Sequence, residues 1–327
     1  MKINEIPTVL KHCKSISQNV ILWGPPGIGK TSAVEQYATQ SGLRLIHIDA
    51  PLVDLLDLKG ALTVKEDEVK FTPMSVWPKP DDDPVLVLVD ELPQAAPAIQ
   101  NGFSRLLLRN EIEGVTLPEG SLVVATGNRM EDRSATHRMP AHIVNRLLHI
   151  QVAADTDAWY EWAVANGVDE RVLAFANFRP GILHDFKPEN AHAPYPTYRS
   201  WTAVSDWLKT GVTGAAMDDG IAGLIGDGAA MEFRAFMNTK VPDIDRIMAG
   251  DFTELHEDLD LSVKYSLSVA LAAHVKKGTI NTFYKALDIL GPVMSVVAVK
   301  TLKAQKPELC KGAGFTKWAM EHADLVL

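Results

Sequence analysis

The segment 24–31 reads GPPGIGKT and has the residue types and spacing needed to hold phosphate groups. It matches G-x-x-x-x-G-K-[ST] between an apolar run and a helical pattern, which is the context that this motif requires. Glycines let the backbone curl so that successive amides and a helix N-terminus face the phosphates. The lysine adds positive charge, and the threonine hydroxyl is suited to Mg²⁺. The motif predicts binding of ATP with Mg²⁺ through Gly24, Pro26, Gly27, Ile28, Gly29, Lys30, Thr31 and Ser32.

Two adjacent carboxylates, Asp90 and Glu91, close the apolar run VLVLVDEL at 85–92. A switch from apolar to charged residues at the carboxyl end of a buried strand marks a site in open α/β sheets. Asp90, with Thr31, is predicted to hold Mg²⁺, and Glu91 is the candidate base that polarises the attacking water. The alternative is a pair of solvated acids at the start of a helix, which the helix dipole alone would favour.

The next apolar run ends in ATGN at 125–128, which brings the amide of Asn128 to the same predicted edge. There it is placed to orient the attacking water or to contact the γ-phosphate. The alternative is an ordinary turn residue, because asparagine after glycine is common in turns.

Five short apolar runs must form the elements that position these residues. Several are apolar on both faces, as buried parallel strands are, and they alternate with helical patterns. The sequence therefore predicts an α/β nucleotide-binding domain over residues 1–154, with a five-stranded parallel sheet and helices on both faces. The predicted strands are Val20 to Trp23, Leu45 to Ile48, Val85 to Val89, Leu122 to Ala125 and Leu147 to Val152.

Two hairpins are predicted to interrupt this domain, one in an insertion at about 61–80 and one at about 111–119. Beyond the sheet the strand pattern stops, and helix-type spacing dominates, for example in Trp159 to Phe178 and Val263 to Val275. We expect a helical lid over 155–215 and a helical C-terminal extension over 216–327.

Composition sets the class and disfavours some partners. The chain has 327 residues, 46% hydrophobic residues and a formal net charge of -9, typical of a globular protein that nucleic acid phosphates do not attract. It has two cysteines and no apolar run of about 18 residues, so we expect a cytoplasmic protein without a membrane span. The ten histidines show no metal-ligand spacing, which leaves Mg²⁺ with nucleotide as the predicted ion.

The order of GPPGIGKT, VLVLVDELPQA, VVATGNR and IVNRLLHI resembles the AAA+ superfamily, and within it the MoxR-like group. The segment DLLDLKGALTV before the insertion and the hairpin before the ATGN strand are similar to that group's helix-two insertion and pre-sensor hairpin. Where MoxR-like chains commonly carry Asn and Arg after the acid pair, this chain carries Leu92, Pro93 and Gln94. The resemblance covers about residues 18–210.

This resemblance implies roles for three more residues. Asn128 corresponds to the first sensor, and Arg146 corresponds to the arginine finger that reaches the γ-phosphate on a neighbouring subunit, with Arg129 and Arg138 as competing candidates. Arg199, in YPTYRSWTAV at 195–204, corresponds to the second sensor. The alternative for these arginines is a surface ion pair.

The resemblance also implies partners: other copies of the chain in a ring, usually a hexamer, and a protein client that ATP hydrolysis remodels. The C-terminal region is similar to small ATPases that accompany a von Willebrand A-type partner. Phe71, Met74 and Trp77 in the insertion either grip a client or pack locally. Two other functions stay open, a DNA-directed AAA+ motor or loader and a nucleotide-gated scaffold with negligible turnover.

Overall fold

The structure is a computed structural model that describes residues 1–65, 68–72, 74–112, 114–132, 136–188 and 192–322. Nine strands lie in these residues. They are β1 Val20–Trp23, β2 Arg44–Asp49, β3 Ala61–Lys65, β4 Glu68–Thr72, β5 Val85–Asp90, β6 Glu111–Ile112, β7 Val115–Thr116, β8 Leu122–Gly127 and β9 Leu148–Gln151.

Five of these strands form one parallel sheet in the order β2-β5-β8-β1-β9. All five predicted strands are present. The central strands β5 and β8 are buried at every residue, whereas the edge strands β2 and β9 alternate or are largely exposed. The parallel arrangement brings the carboxyl ends of β1, β5 and β8 to one edge, which is where the predicted site residues follow.

Two antiparallel pairs lie in the segments between strands of this sheet. β3 pairs with β4, and β6 pairs with β7. The first pair lies within the segment where the sequence predicts an insertion, and the second ends shortly before β8 begins.

Sixteen α-helices lie in the described residues, six before β9 and ten after it. The first six are α1 Ile6–Ser15, α2 Lys30–Gln40, α3 Leu55–Lys59, α4 Pro97–Gly102, α5 Ser104–Arg109 and α6 Ala141–Val144. The others are α7 Thr156–Ala165, α8 Glu170–Phe178, α9 Tyr198–Lys209, α10 Gly214–Ile225, α11 Asp227–Met237, α12 Ile244–Met248, α13 Leu261–His274, α14 Ile280–Leu290, α15 Pro292–Gln305 and α16 Ala313–Glu321.

The described residues fold as two compact units. One unit consists of the described residues within Met1–Asp155 and Lys187–Glu189. The other consists of the described residues within Thr156–Phe186 and Asn190–Leu327. A five-stranded parallel sheet with helices and a helical C-terminal region is the fold class that the sequence predicts, and it is confirmed. No described helix is both long enough and apolar enough to cross a membrane.

The core of the first unit includes Trp77, for which the sequence leaves two alternatives, gripping a client or packing locally. Trp77 is only 8% exposed and packs with Leu58, Phe103 and the buried strands, so the client-gripping alternative is wrong for this side chain. A large apolar side chain gains more by joining a core within reach than by staying in water. Met74 is 46% exposed, and the Phe71 side chain lies outside the described set.

The second unit contains an aromatic cluster and a larger mixed hydrophobic cluster. Phe175 on α8 contacts Trp201 on α9 and both Phe233 and Phe236 on α11, with ring centroids 5.2 to 5.4 Å apart. The mixed cluster of aliphatic and aromatic residues joins α12 to α16. The capping box of Thr197 and Ser200 starts α9, and Arg199 is an exposed residue in the first turn of that helix.

Candidate functional site

The phosphate-binding segment forms the turn between β1 and α2. Gly27 and Gly29 have φ values of 72° and 98°, in the left-handed region that glycine enters without a steric penalty. Gly29 is the N-cap of α2 and makes no side-chain cap, so the first-turn amides of the helix are not covered by a capping side chain. This geometry leaves a helix N-terminus suited to an anion.

Gly24 lies where two strands leave no room for a side chain. Its N–H donates to the carbonyl oxygen of Gly127 at 3.2 Å, and an added Cβ would lie 2.5 Å from the carbonyl oxygen of Val152. The same Cβ would lie 2.9 Å from Cδ1 of Ile28, whose side chain is buried. The start of the turn is therefore clamped between the ends of β8 and β9.

We expect Gly24→Ala to lower stability by about 1–3 kcal/mol, because the extra methyl group forces the backbone at Val152 to move. Nucleotide affinity should fall with it, since the turn that carries the phosphate-binding amides shifts. Thermal unfolding with and without ATP measures both effects. Gly181→Ala is the control, because an added Cβ there meets nothing within 4 Å; equal unfolding midpoints for the two variants would contradict the clamp.

Lys30 is buried, with 8% of its surface exposed. Its Nζ donates to the carbonyl oxygens of Gly24 at 2.8 Å and Pro25 at 3.0 Å, and to Oδ1 of Asn128 at 3.1 Å. A buried ammonium group requires such partners, because isolated burial of its charge is costly. The last of these bonds joins the lysine of the turn to the asparagine that follows β8. The sequence predicts that both residues lie at the same edge of the sheet.

Asp90 is buried at the end of β5, and both of its carboxylate oxygens accept hydrogen bonds. Thr31 donates from Oγ1 to Oδ2 at 2.9 Å, and Thr126 donates from Oγ1 to Oδ1. Thr126 was missed by the sequence interpretation. The sequence carries no local signal for this role, because Thr126 comes level with Asp90 only through the pairing of Ala125 with Val89 in the parallel register.

Glu91 takes a different conformation from its neighbour. Its φ and ψ are 54° and 33°, a left-handed conformation that is uncommon for a residue with a side chain. Its N–H donates to Oγ1 of Thr126 at 3.1 Å, so one hydroxyl contacts both acids of the pair. The residue is exposed, whereas Asp90 is buried. The adjacent acids therefore face separate environments, one suited to holding a cation and the other open to solvent.

Pro93 ties the turn after Glu91 to the rest of the edge. Its carbonyl oxygen accepts from the N–H of His137 at 2.6 Å and from Nε2 of buried Gln100 at 3.4 Å. Gln100 also donates to the carbonyl oxygen of Ala95 at 2.9 Å. A Cβ on Gly127 would lie 2.6 Å from Cγ of Pro93, so the proline ring packs directly against the end of β8. Leu92, Pro93 and Gln94, which depart from the family pattern, thus form a packed turn.

The three candidate finger arginines differ in their contacts. Arg129 donates to Asp132 through Nε and Nη2 at 3.2 and 2.9 Å and pairs with Glu131 at 2.7 Å. The hydrogen bond to Asp132 raises the pKa of the Arg129 guanidinium above its ordinary value. Arg138 and Arg146 are exposed and make no ion pair with another described residue. Arg129 is thus engaged within its own loop.

The remaining predicted residues lie as follows. Arg146 follows α6, and its carbonyl oxygen accepts from Nε2 of Gln18 at 2.9 Å, which anchors the backbone while the side chain is exposed. Pro26 is half-buried in the turn, and Ser32 is exposed in the first turn of α2. Arg199 lies on α9 in the second unit, and its second-sensor role stays a prediction.

The residues at this edge fit a magnesium nucleotide by their own chemistry. A threonine hydroxyl and a carboxylate, Thr31 and Asp90, are the hard oxygen ligands that Mg²⁺ accepts, and they are already in contact. The ammonium group of Lys30 and the uncapped helix N-terminus supply positive charge and donors for phosphate oxygens. The turn at 24–31 contains no acidic side chain that would repel phosphate.

Residues 20–147 match the family described as "ATPase family associated with various cellular activities (AAA)". This segment is therefore an AAA ATPase family domain, and it contains the turn, the acid pair and Asn128. The match spans fewer than half of the 327 residues. The AAA+ level of the resemblance is confirmed for this segment, while the MoxR-like subgroup is not.

Solved structures similar to this chain include those of NtrX and RuvB. NtrX from Brucella abortus, crystallised in complex with ADP, has a TM-score of 0.42 and 15% identity over 99% of this chain and 68% of its own. RuvB from Thermotoga maritima, a Holliday junction branch migration motor, has a TM-score of 0.39 and 14% identity over 87% of this chain and 85% of its own. At these scores neither supports an argument about activity. No curated protein matches the chain.

Proposed function

We propose that this protein binds Mg-ATP and hydrolyses it. The observation that carries the proposal is the direct hydrogen bonding of Lys30 to Asn128 and of Thr31 to Asp90 at one edge of the sheet. Four side chains that are spread over residues 30–128 converge there. A solvated acid pair or an ordinary turn asparagine would have no reason to contact the lysine and threonine of a phosphate-binding turn.

Each side chain has a defined task in this proposal. The ammonium of Lys30 neutralises phosphate charge, Thr31 and Asp90 hold the cation and its water shell, and Asn128 orients the attacking water. Mg²⁺, when bound, neutralises charge that develops on the transferred phosphoryl group. Glu91 accepts a hydrogen bond from the attacking water and polarises it, and its exposure leaves the carboxylate accessible to that water.

We further propose that the site is completed by a second copy of the chain in a ring, with a hexamer as the expected size. Support comes from Arg146, which is exposed, is anchored through its backbone and makes no ion pair with another described residue. An arginine supplied by a neighbouring subunit stabilises transition-state charge and speeds hydrolysis about a thousandfold or more. Arg199 is the candidate for a second sensor from a helical lid over 155–215.

The work done by hydrolysis is proposed to be remodelling of a protein client, as in the MoxR-like group, with a von Willebrand A-type partner as one candidate. The region between β2 and β5 supports a protein contact, because it exposes several large apolar side chains, a feature of protein-binding surfaces. They are Leu52, Leu56, Leu62, Val64 and Val76. The net charge of -9 gives no support to a nucleic-acid client.

The test is the ATPase rate measured against protein concentration, with light scattering in the presence and absence of ATP. We expect specific activity to rise as the chain assembles, and we expect Arg146→Ala to lose about a thousandfold in turnover while still binding ATP and assembling. Arg138→Ala and Arg129→Ala are matched controls, because they remove the competing arginines; each should retain activity.

The alternatives predict other results. A monomer that binds ATP with negligible turnover, insensitive to Arg146→Ala, would support the nucleotide-gated scaffold. Salt-sensitive binding to DNA that stimulates turnover would support a DNA-directed motor. A large loss in Arg138→Ala alone would move the finger to that residue.

A further inference from the structure

His47 lies on β2 among three carboxylates. Its Nε2 is 3.5 Å from Oδ1 of Asp49 and 3.5 Å from Oδ2 of Asp90, and its Nδ1 is 3.5 Å from Oε1 of Glu35 on α2. His47 and Asp49 are two residues apart on one strand and so share a face of the sheet. Asp49 pairs with Asp90 in the parallel register, which brings the third side chain to that same face.

The spacing of these atoms fits the coordination shell of a metal ion. One ligand atom from each of His47, Asp49 and Asp90 lies within 4.8 Å of the other two. Zinc binds nitrogen and oxygen at about 2.0–2.2 Å, and at tetrahedral angles two such ligands are about 3.3–3.5 Å apart. The distances of 3.5 Å match this value and are longer than an ordinary hydrogen bond.

Glu35 lies where it can accept a hydrogen bond from the ring nitrogen of His47 that does not face the proposed metal ion. A histidine that binds a metal through one nitrogen usually donates the other N–H to a carboxylate, which sets its tautomer. Here Nδ1 faces Glu35, and Nε2 faces the two aspartates. The side chains of His47 and Asp49 are 32% and 58% exposed, so an ion can reach them from solvent.

We propose that His47, Asp49 and Asp90 form a second cation site, which takes Zn²⁺ or a similar divalent transition metal. An imidazole nitrogen suits Zn²⁺, whereas Mg²⁺ takes oxygen ligands, so the two ions are separated by ligand type. The site uses Oδ2 of Asp90, the oxygen that Thr31 contacts. Zinc bound there withdraws this oxygen from the magnesium position and inhibits ATP hydrolysis. Only this inhibitory consequence rests on the proposed function.

The binding test uses the full chain without nucleotide. Zn²⁺ and Mg²⁺ are titrated by calorimetry, and Co²⁺ serves as a visible-absorption probe of the nitrogen and oxygen ligands. We expect Zn²⁺ to bind, excess Mg²⁺ not to displace it, and His47→Gln and Asp49→Asn each to weaken it at least about tenfold. His256→Gln is the matched control, because His256 is an exposed histidine of the second unit. Thermal unfolding checks that each variant is folded.

Two results would overturn the site: Zn²⁺ affinity that is the same in the wild type and in both variants, or Co²⁺ absorption that His47→Gln does not change. Either would leave His47 as a charged partner of the surrounding carboxylates. In the hydrolysis arm, we expect Zn²⁺ to inhibit the wild type at concentrations where His47→Gln keeps its own zinc-free rate. If Zn²⁺ binds but does not inhibit the wild type, the proposed inhibition is overturned and the zinc site is kept. If the protein does not hydrolyse ATP, the binding experiment still tests the zinc site.

Discussion

Lys30→Met is expected to abolish ATP binding. The ammonium group is the buried positive charge of the turn, and methionine supplies a side chain of similar length without donors or charge. The measurement is the rise in thermal unfolding midpoint on adding ATP with Mg²⁺. A ligand present at 100 times its dissociation constant stabilises the folded state by about 2.7 kcal/mol, and the variant should lose this increment.

The variant is also expected to unfold at a lower temperature without ligand, because the carbonyl oxygens of Gly24 and Pro25 lose their donor. The two effects separate, since the comparison is made within each variant with and without ATP. Lys300→Met is the control, because Lys300 is an exposed lysine on α15. An ATP-dependent rise that persists undiminished in Lys30→Met would contradict the assignment of the turn as the phosphate site.

Glu91→Gln is expected to lower turnover by about 10²- to 10⁴-fold while ATP binding persists. The amide keeps the size of the side chain but is a much weaker base, so it no longer polarises the attacking water. Because Glu91 is exposed and its backbone bond to Thr126 involves only the N–H, the substitution should leave the fold unchanged. Single-turnover hydrolysis and equilibrium ATP binding measure the two properties separately.

Glu119→Gln provides the matched control, since Glu119 is an exposed glutamate in the loop before β8. Equal loss of binding and turnover in Glu91→Gln would assign the residue to nucleotide binding and not to hydrolysis. Unchanged turnover would return the acid pair to its other interpretation, in which Glu91 only favours the start of a helical turn.

Much of the site could be predicted because it follows local rules. The turn at 24–31, the acid pair and Asn128 each sit at the end of an apolar run, and parallel strands bring such ends together. Thr126 could not be assigned from the sequence, because its role depends on the register of β8 against β5. A shift of one residue would turn its hydroxyl to the opposite face of the sheet.

The local ion pairs of Arg129 and the burial of Trp77 also needed the folded chain. Arg129 and Arg146 have the same charge and similar neighbours in sequence, and only the contacts with Asp132 and Glu131 distinguish them. Trp77 sits between prolines in a segment without periodicity, so nothing local shows that its ring reaches the core.

By itself the sequence determined the five-stranded α/β fold and the positions of the phosphate-binding turn and acid pair, because hydrophobic periodicity and short motifs encode them locally. Only the tertiary structure decided that Lys30 bonds to Asn128, that Thr126 contacts both acids, and that His47 faces Asp90. Those contacts join residues on different strands, and strand order and register arise from packing the whole sheet, which no single segment specifies.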